Sequence, residues 1–548
     1  MEATEKYVPV TYEKENLLDH IHETMAQYPD RPAVISGDGK ARLTYKEVNE
    51  RANRLANALL KRDIKKGDRV AIFQTNTWQY AEQYLAILKI GAICVPMNFR
   101  LRGPEALFII TEAGAKALLF EERYLPMFEK IRPYMLSVER YICTIGKTPE
   151  WAEDYETIIE GSTPEEVPKV ELNLDSIAAI SFTSGTTGLP KGSISTHGNV
   201  MVNLYDPMFA ELIGRHSLHP EWGYAINLIN VPIYHIGGVL FLYLGLAQGS
   251  TLVIPEAFTP QSFLDIVERE QVTVTYLVPT MFAMILDLPE FKKERIRSLK
   301  FIPYGAMPMP PDLLKRIMVE FPSDIKFMDA FGCTECNAAT ICKMPEDHDL
   351  TGTEDKVNKK MERLKSVGRP LNIGIETNII DEQGNEVLPG VVGEVINRGQ
   401  KVTPGYWRNP ERTEESFDQD GWFHTGDMAS KDEDGYVYFA DRKKDMINRG
   451  GENIYPIEVE RVLLLHPKVQ DAAVFAVPDP KWGHIVKAAV VLEEEDVDED
   501  ELTKFCKERL ASFKCPSSIH FMKELPRSFE GGKVLRRVLR EQFAPLFH

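Results

Sequence analysis

No stretch of this chain is apolar for long enough to cross a bilayer. The longest candidate lies near 239–247 and breaks at Gln248, well short of the roughly 20 residues a spanning helix needs. Cysteine is scarce: seven residues, an odd number spread thinly through 548, exclude a disulfide scaffold and fit a reducing cytoplasm. An excess of basic charge is lacking too, and the net charge of -18 argues against a nucleic-acid surface, although a local basic pocket can still hold a nucleotide. The opening Met1-Glu2-Ala3-Thr4-Glu5 has neither the basic start nor the apolar core of an export signal, so a cytoplasmic location is expected. No internal repeat is visible.

What is present is length and alternation. At about 150 residues per domain the chain is too long for one core and calls for three or four units. From Thr44, residues Val48, Ala52, Leu55, Ala56, Leu59 and Leu60 fall on one helical face, followed by a turn at Lys66-Gly67-Asp68 and a strand over 70–73. Helices over 78–90 and 104–113 alternate with strands over 92–95 and 117–120. The pattern resumes with strands over 225–231, 251–254 and 272–278 around an apolar helix and a helix over 260–268. Such units predict a mostly parallel sheet wrapped by helices, with ligands at the carboxyl ends of the strands. Short strands over 374–381, 393–397 and 436–440 predict a small β-rich subdomain over about 368–441. Helices over 456–465 and 501–510 and strands over 469–477 and 487–492 then form a compact α+β unit. The acidic run 493–501 reads as a solvated linker whose end favours a helix start. The fold class expected is α/β, a large layered N-terminal domain over 1–441 followed by a small α+β domain over 442–548.

The most informative stretch is Ser181-Phe182-Thr183-Ser184-Gly185-Thr186-Thr187-Gly188-Leu189-Pro190-Lys191-Gly192. Gly185, Gly188 and Gly192 remove bulk that would keep the main chain from an anion. Ser184, Thr186 and Thr187 supply hydroxyls, and Lys191 a point charge. A run of this composition is ordinarily a surface loop, but this one follows a buried strand over 177–180 and closes on Pro-Lys-Gly. It is not a Walker loop, because Gly192 rather than Ser or Thr follows Lys191. A second constellation, Asp329-Ala330-Phe331-Gly332-Cys333-Thr334-Glu335, follows a strand expected over 325–328. An aromatic ring beside glycine suits a nucleobase, a threonine hydroxyl a phosphate oxygen, and a carboxylate Mg2+. Cys333, Cys336 and Cys342 lack a second Cys-x-x-Cys or paired histidines, so they read as small residues flanking this motif.

These two segments, with Gly421-Trp422-Phe423-His424-Thr425-Gly426-Asp427, the run from Asp441 to Pro456 and the terminal Lys533, resemble the adenylate-forming superfamily of acyl-CoA synthetases, luciferases and peptide-synthetase adenylation domains. Their order and spacing match from about Leu17 to Arg540. The resemblance implies that Thr183, Ser184, Gly185, Thr186, Thr187, Gly188 and Lys191 hold the ATP phosphates, with Thr186 and Glu335 at Mg2+ and Thr334 at the α-phosphate. Gly305, Ala306, Asp329, Ala330 and Phe331 would frame adenine, and Asp427 and Arg442 would contact the ribose. Lys533 would bridge the substrate carboxylate and the α-phosphate. A mobile C-terminal domain would swing about Lys444, withdrawing Lys533 and bringing Gly450 and Gly451 to a pantetheine tunnel. His235, before a glycine pair, resembles the residue beside the acyl carboxylate, although most lone histidines are structural.

Two departures stand out. Pro526-Arg527-Ser528-Phe529-Glu530-Gly531-Gly532-Lys533 carries serine for the usual threonine and one extra residue, and Asp329 stands where many relatives have asparagine. The resemblance implies an acyl-CoA synthetase using ATP, Mg2+ and coenzyme A through an acyl-AMP intermediate, and leaves a homodimer open. Segments 233–238, 301–307 and 337–341 carry no counter-charge for an amino group or second carboxylate. The expected acid is therefore apolar: fatty, alicyclic or aromatic. A peptide-synthetase module is disfavoured because no carrier domain follows Lys533. A luciferase-like enzyme, a non-catalytic acyl- or nucleotide-binding protein and a P-loop phosphotransferase are the alternatives.

Overall fold

A computed structural model describes residues 7–183, 190–206, 224–307, 309–348, 360–361, 363–443, 445–449, 452–479, 481–493, 497–527 and 534–543. The chain forms two compact units, the first from residues 1–377 and 397–423, the second from 378–396 and 424–548.

The first unit holds two sheets. One has nine strands in the order Arg369–Pro370, Ala338–Lys343, Lys326–Cys333, Phe301–Gly305, Val274–Thr275, Ile226–Leu228, Thr251–Ile254, Pro32–Ser36 and Arg42–Thr44. Its central pairs are parallel and its edge pairs antiparallel. The other has seven strands in the order Glu153–Asp154, Arg140–Ile145, Ala115–Glu121, Arg69–Phe73, Ile93–Pro96, Ile177–Thr183 and Lys191–Thr196, parallel except for the last pair. The expected α/β class is therefore what the chain adopts.

The layering follows from which faces are apolar. Helices Leu17–Gln27, Tyr45–Lys61, Gln79–Lys89 and Ile236–Gln248 share one core with residues from both sheets, including Val34, Leu252, Val70 and Ile72. Helices Pro260–Glu270, Pro279–Leu286 and Pro311–Glu320 cover the outer face of the nine-stranded sheet, and Gly103–Ala113 and Leu125–Ile131 that of the seven-stranded one. Helix Tyr45–Lys61 shows the local logic. Thr44 and Glu47 form a reciprocal capping box, and Val48, Ala52, Leu55, Ala56 and Leu59 are all buried. Helix Ile236–Gln248 is buried from Gly238 to Ala247 because it lies between layers, which explains why its sequence has no polar face.

The second unit contains most of a four-stranded sheet in the order Glu376–Ile380, Gly393–Arg398, Phe423–Lys431 and Val437–Arg442. It also contains a five-stranded sheet built on the hairpin Val469–Asp479 and Gly483–Leu492. Helices Pro456–Leu464 and Glu499–Lys507 pack on one face of the hairpin and Arg536–Phe543 on the other. The end of the acidic run behaves as expected: Asp498 accepts from the Glu501 amide at 2.8 Å and caps the helix.

Boundaries depart from the sequence reading at two informative places. The strand expected over 325–328 continues to Cys333, because its antiparallel partner Ala338–Lys343 supplies hydrogen bonds along Asp329 to Cys333. Asp329, Ala330 and Phe331 therefore lie in a strand rather than after one. Conversely, the strand expected over 272–278 shrinks to Val274–Thr275, with Leu277 meeting Tyr304 in a single bridge before Val278 caps the next helix.

Candidate functional site

In the first unit, the site grows from strand ends. Thr183 closes strand Ile177–Thr183 directly opposite Lys191, which opens the antiparallel return strand. Ser184, Gly185, Thr186, Thr187 and Gly188 lie outside the described residues. The Lys191 ammonium is held below its usual range by burial and by the Arg412 guanidinium, partly offset by the Glu335 carboxylate. Two carboxylates, Glu335 and Glu415, and two cations, Lys191 and Arg412, thus share a small region.

The adenine-framing candidates come together as well. Gly305 and Ala330 are register partners on adjacent parallel strands. A Cβ on Gly305 would stand 2.2 Å from the Ala330 carbonyl oxygen and 3.0 Å from the Tyr276 hydroxyl, so this strand end admits only glycine without displacement. Ala306 follows with φ of 65°, a left-handed conformation that L-residues with a Cβ rarely adopt, and such strain concentrates at functional sites. Phe331 is half-buried opposite Ile341. Asp329 is 6 % exposed and its carboxylate accepts from Lys343 Nζ at 3.2 Å. Lys343 sits opposite it across the strand pair and also donates to the Leu364 carbonyl at 2.9 Å. Burial pushes the Asp329 carboxyl up, and the lysine pulls part of that shift back.

Thr334 and Glu335 lie in the single 3₁₀ turn Thr334–Cys336 after this strand. The turn ends at Asn337, buried and left-handed at φ 49°, whose side chain accepts from Ser195 and donates to the Lys401 carbonyl. Glu335 is gripped twice: its carbonyl accepts from the Thr403 amide at 2.6 Å and its Oε1 from the Tyr406 hydroxyl at 2.9 Å. Cys336 and Cys342 are buried, Cys333 is half-buried, and all three are free thiols. Among the described residues no group of three or more His, Cys, Asp or Glu could hold a metal.

His235 precedes helix Ile236–Gln248, with its ring 4.4 Å from Tyr234, which packs edge-on against Phe99. Asn76 fixes the turn before it, donating to the Val231 carbonyl and accepting from the Ile233 amide, each at 2.9 Å. Gly238 lets the helix start tightly: a Cβ there would lie 2.3 Å from the Pro232 carbonyl oxygen. The Phe241 and Tyr276 rings stand 6.0 Å apart.

In the second unit, Asp427 and Arg442 face each other in register on adjacent antiparallel strands, with Arg442 Nε 3.0 Å from Asp427 Oδ1. Beside them, Glu394 accepts from the Gly426 amide at 3.1 Å, pairs with Lys443 at 2.9 Å and lies 3.3 Å from His424. Burial raises the Glu394 carboxyl, but the Lys443 and His424 contacts outweigh it, and its net shift is downward. Lys444, Gly450, Gly451 and Lys533 lie outside the described residues.

Several participants carry no sequence signature. Tyr406, Thr403, Lys343, Asn76 and Glu394 act through partners distant in sequence, so no local motif announces them. Only the αL positions Ala306 and Asn337 hint at themselves, by lying within or beside the recognised segments.

The family model of the AMP-binding enzymes matches residues 21–407. A second model, the AMP-binding enzyme C-terminal domain, matches residues 458–531. The chain belongs to this family, within the adenylate-forming superfamily. It is 33% identical to a feruloyl-CoA synthase from an Amycolatopsis species over 92% of this chain and 95% of the relative. It is 34% identical to a 2-succinylbenzoate–CoA ligase from Bacillus licheniformis over 95% of this chain and 100% of the relative. The crystal structure of ATP-bound MatB from Rhodopseudomonas palustris superposes with a TM-score of 0.84 at 27% identity, covering 97% of this chain and 99% of that one. No helix among the described residues is long and apolar enough to cross a membrane.

Proposed function

We propose that the protein is an ATP-dependent carboxylate–CoA ligase. The acid's carboxylate oxygen attacks the α-phosphorus of ATP and expels pyrophosphate. The sulfur of coenzyme A then attacks the acyl-adenylate carbonyl, AMP leaves, and the thiol proton passes to solvent. The observation that carries this reading is the family match along nearly the whole chain to relatives named as CoA ligases. Those relatives carry different acids in their names, so they support the reaction class without fixing the acid. The aromatic rings of Tyr234 and Phe99 beside His235 favour an apolar acid.

Roles follow from chemistry. Lys191 and the glycine-rich segment Thr183–Gly188 neutralise phosphate charge, Thr334 bonds the α-phosphate, and Gly305, Ala306, Ala330 and Phe331 frame adenine, with Asp329 bracing that wall through Lys343. Asp427 with Arg442 holds the ribose, and Lys533 offsets charge at the carboxylate and α-phosphate. Glu335 Oε1 is taken by Tyr406, while Oε2 has no hydrogen-bond partner among the described residues. Glu335 Oε2 and the Thr186 hydroxyl would hold Mg2+, a hard cation suited to oxygen donors. When bound, Mg2+ supplies charge neutralisation of the triphosphate. A boundary at 441/442 with a hinge at Lys444, passage of pantetheine past Gly450 and Gly451, cytoplasmic location and a homodimer belong to the same proposal.

A panel of carboxylic acids, assayed for pyrophosphate, AMP and CoA thioester, tests the reading. Absence of acid-dependent pyrophosphate release would refute it. Lys533→Ala is expected to suppress adenylation while sparing thioester formation from a supplied acyl-adenylate. Equal loss of both half-reactions would contradict the two-stage role of the C-terminal residues.

A further inference from the structure

Tyr406 contributes to no recognised motif, yet it is 7 % exposed and its one polar atom is spent on the Glu335 carboxylate. The backbone around it is fixed from two sides. Ser193 and Tyr406 form an antiparallel bridge, the Trp407 amide donates to the Gly192 carbonyl at 2.8 Å, and the Ile194 amide to the Gly405 carbonyl at 3.2 Å. Thr403 Oγ1 donates to the Ile194 carbonyl at 2.7 Å, and the Tyr406 amide to Thr413 Oγ1 at 3.0 Å. The phenol is thus mounted on the strand that begins with Lys191, and it reaches across to the turn that carries Glu335.

A carboxylate on a short turn can rotate about its side-chain torsions. One charge-assisted hydrogen bond to Oε1, combined with the Thr403 grip on the Glu335 carbonyl, removes that freedom and presents Oε2 in one direction. Groups that hydrogen-bond a metal-ligating carboxylate set its orientation, and their loss typically lowers metal affinity about 10–100-fold. We propose that Tyr406 is a positioning residue: by tying Oε1 to the strand bearing Lys191, it holds Glu335 so that Oε2 meets the divalent cation accompanying ATP. The inference rests on the reading of Glu335 as the metal-facing carboxylate.

The test uses full-length enzyme and Mn2+ as the metal probe, with binding to the complex with α,β-methylene-ATP read by electron paramagnetic resonance. Tyr406→Phe removes one oxygen, and Tyr406→Met provides a second donor-free variant should the first fold poorly. Mn2+ affinity is expected to fall about tenfold or more in either variant. The Mg2+ concentration for half-maximal pyrophosphate release should rise by a similar factor, with thioester formation from supplied acyl-adenylate unchanged. Wild-type Mn2+ affinity in a folded variant would overturn the proposal, as would equal damage to both half-reactions, which a purely structural tyrosine predicts. Glu335→Gln separates the two levels. If it weakens Mn2+ binding and the Tyr406 variants do not, only the positioning role fails; if it leaves binding intact, the metal-facing reading of Glu335 fails and the positioning role with it.

Discussion

Replacing Lys343 by methionine would leave Asp329 as a buried carboxylate with no counter-charge. The lysine side chain is 1 % exposed and the aspartate side chain 9 %, and their 3.2 Å contact links directly opposed positions on neighbouring strands. Removing one member of a buried pair destabilises by about 3–5 kcal/mol, because the surviving charge is stranded, whereas replacing both often costs little. At about 1.4 kcal/mol per decade this is roughly two to four orders of magnitude in the folding equilibrium. Lys343→Met alone should therefore lower the urea midpoint sharply, and Asp329→Asn combined with Lys343→Met should recover most of the loss. The pH dependence has a defined sign. Burial raises the Asp329 pKa above 3.8, and such a group gives stability that is present below that value and lost as pH rises through its folded value. Without the lysine the raised value climbs further, so the single variant should lose stability more steeply than wild type as pH rises above about 4. Urea titrations of the three variants between pH 4 and pH 8, each also assayed for ATP binding by calorimetry, supply the data. A cost below about 1 kcal/mol for Lys343→Met, or a double variant no better than the single, would refute the reasoning.

Gly305→Ala should weaken ATP binding about tenfold, since its Cβ meets the Ala330 carbonyl oxygen at 2.2 Å and overpacking typically costs about 1–3 kcal/mol. Calorimetric titration with wild-type affinity would contradict the role of this cleft. Acid should destabilise the first unit through His348 and His197, whose pKa values burial lowers to about 3 and about 4. In folded His348, Nδ1 donates to the Met344 carbonyl and Nε2 accepts from the Tyr304 hydroxyl, which fixes the neutral form. A depressed histidine gives stability that is present above the unfolded value of 6.5 and lost as pH falls through its folded value, at up to about 1.4 kcal/mol per pH unit for each. His348→Gln should flatten the fall in urea midpoint between pH 6.5 and pH 4, and an unchanged slope would exclude the effect.

The alternation of helix and strand was legible because each element buries a face with its own period. Strand Thr251–Ile254 falls where the pattern sets it, as does the buried stripe of helix Tyr45–Lys61. Groupings of chemically chosen residues were legible where recognised motifs carry them, as in the turn Thr334–Cys336 and the Asp427–Arg442 pair. Register was not: nothing in the residues flanking Asp329 says that Lys343, fourteen positions on, will stand opposite it. Asp329, read from the sequence as one of the residues framing adenine, also accepts from that lysine. Nor does Gly405-Tyr406-Trp407 have any period, since it is neither helix nor long strand and is ordered by single bridges to Ser193 and by Thr403. Irregular backbone stitched by side chains leaves little trace in hydrophobic patterning.

The way the polypeptide threads its two bodies also bears on biogenesis. Residues 378–396 belong to the second body, yet 397–423 return to the first before the chain leaves it for good. A nascent polypeptide that has just completed the Phe331–Glu335 segment still lacks the tyrosine, seventy-one positions downstream, that grips the carboxylate. Synthesis from the amino end therefore withholds the grip on Glu335 until Tyr406 has emerged from the ribosome, and any fragment engineered to isolate the first body must carry residues 397–423 along.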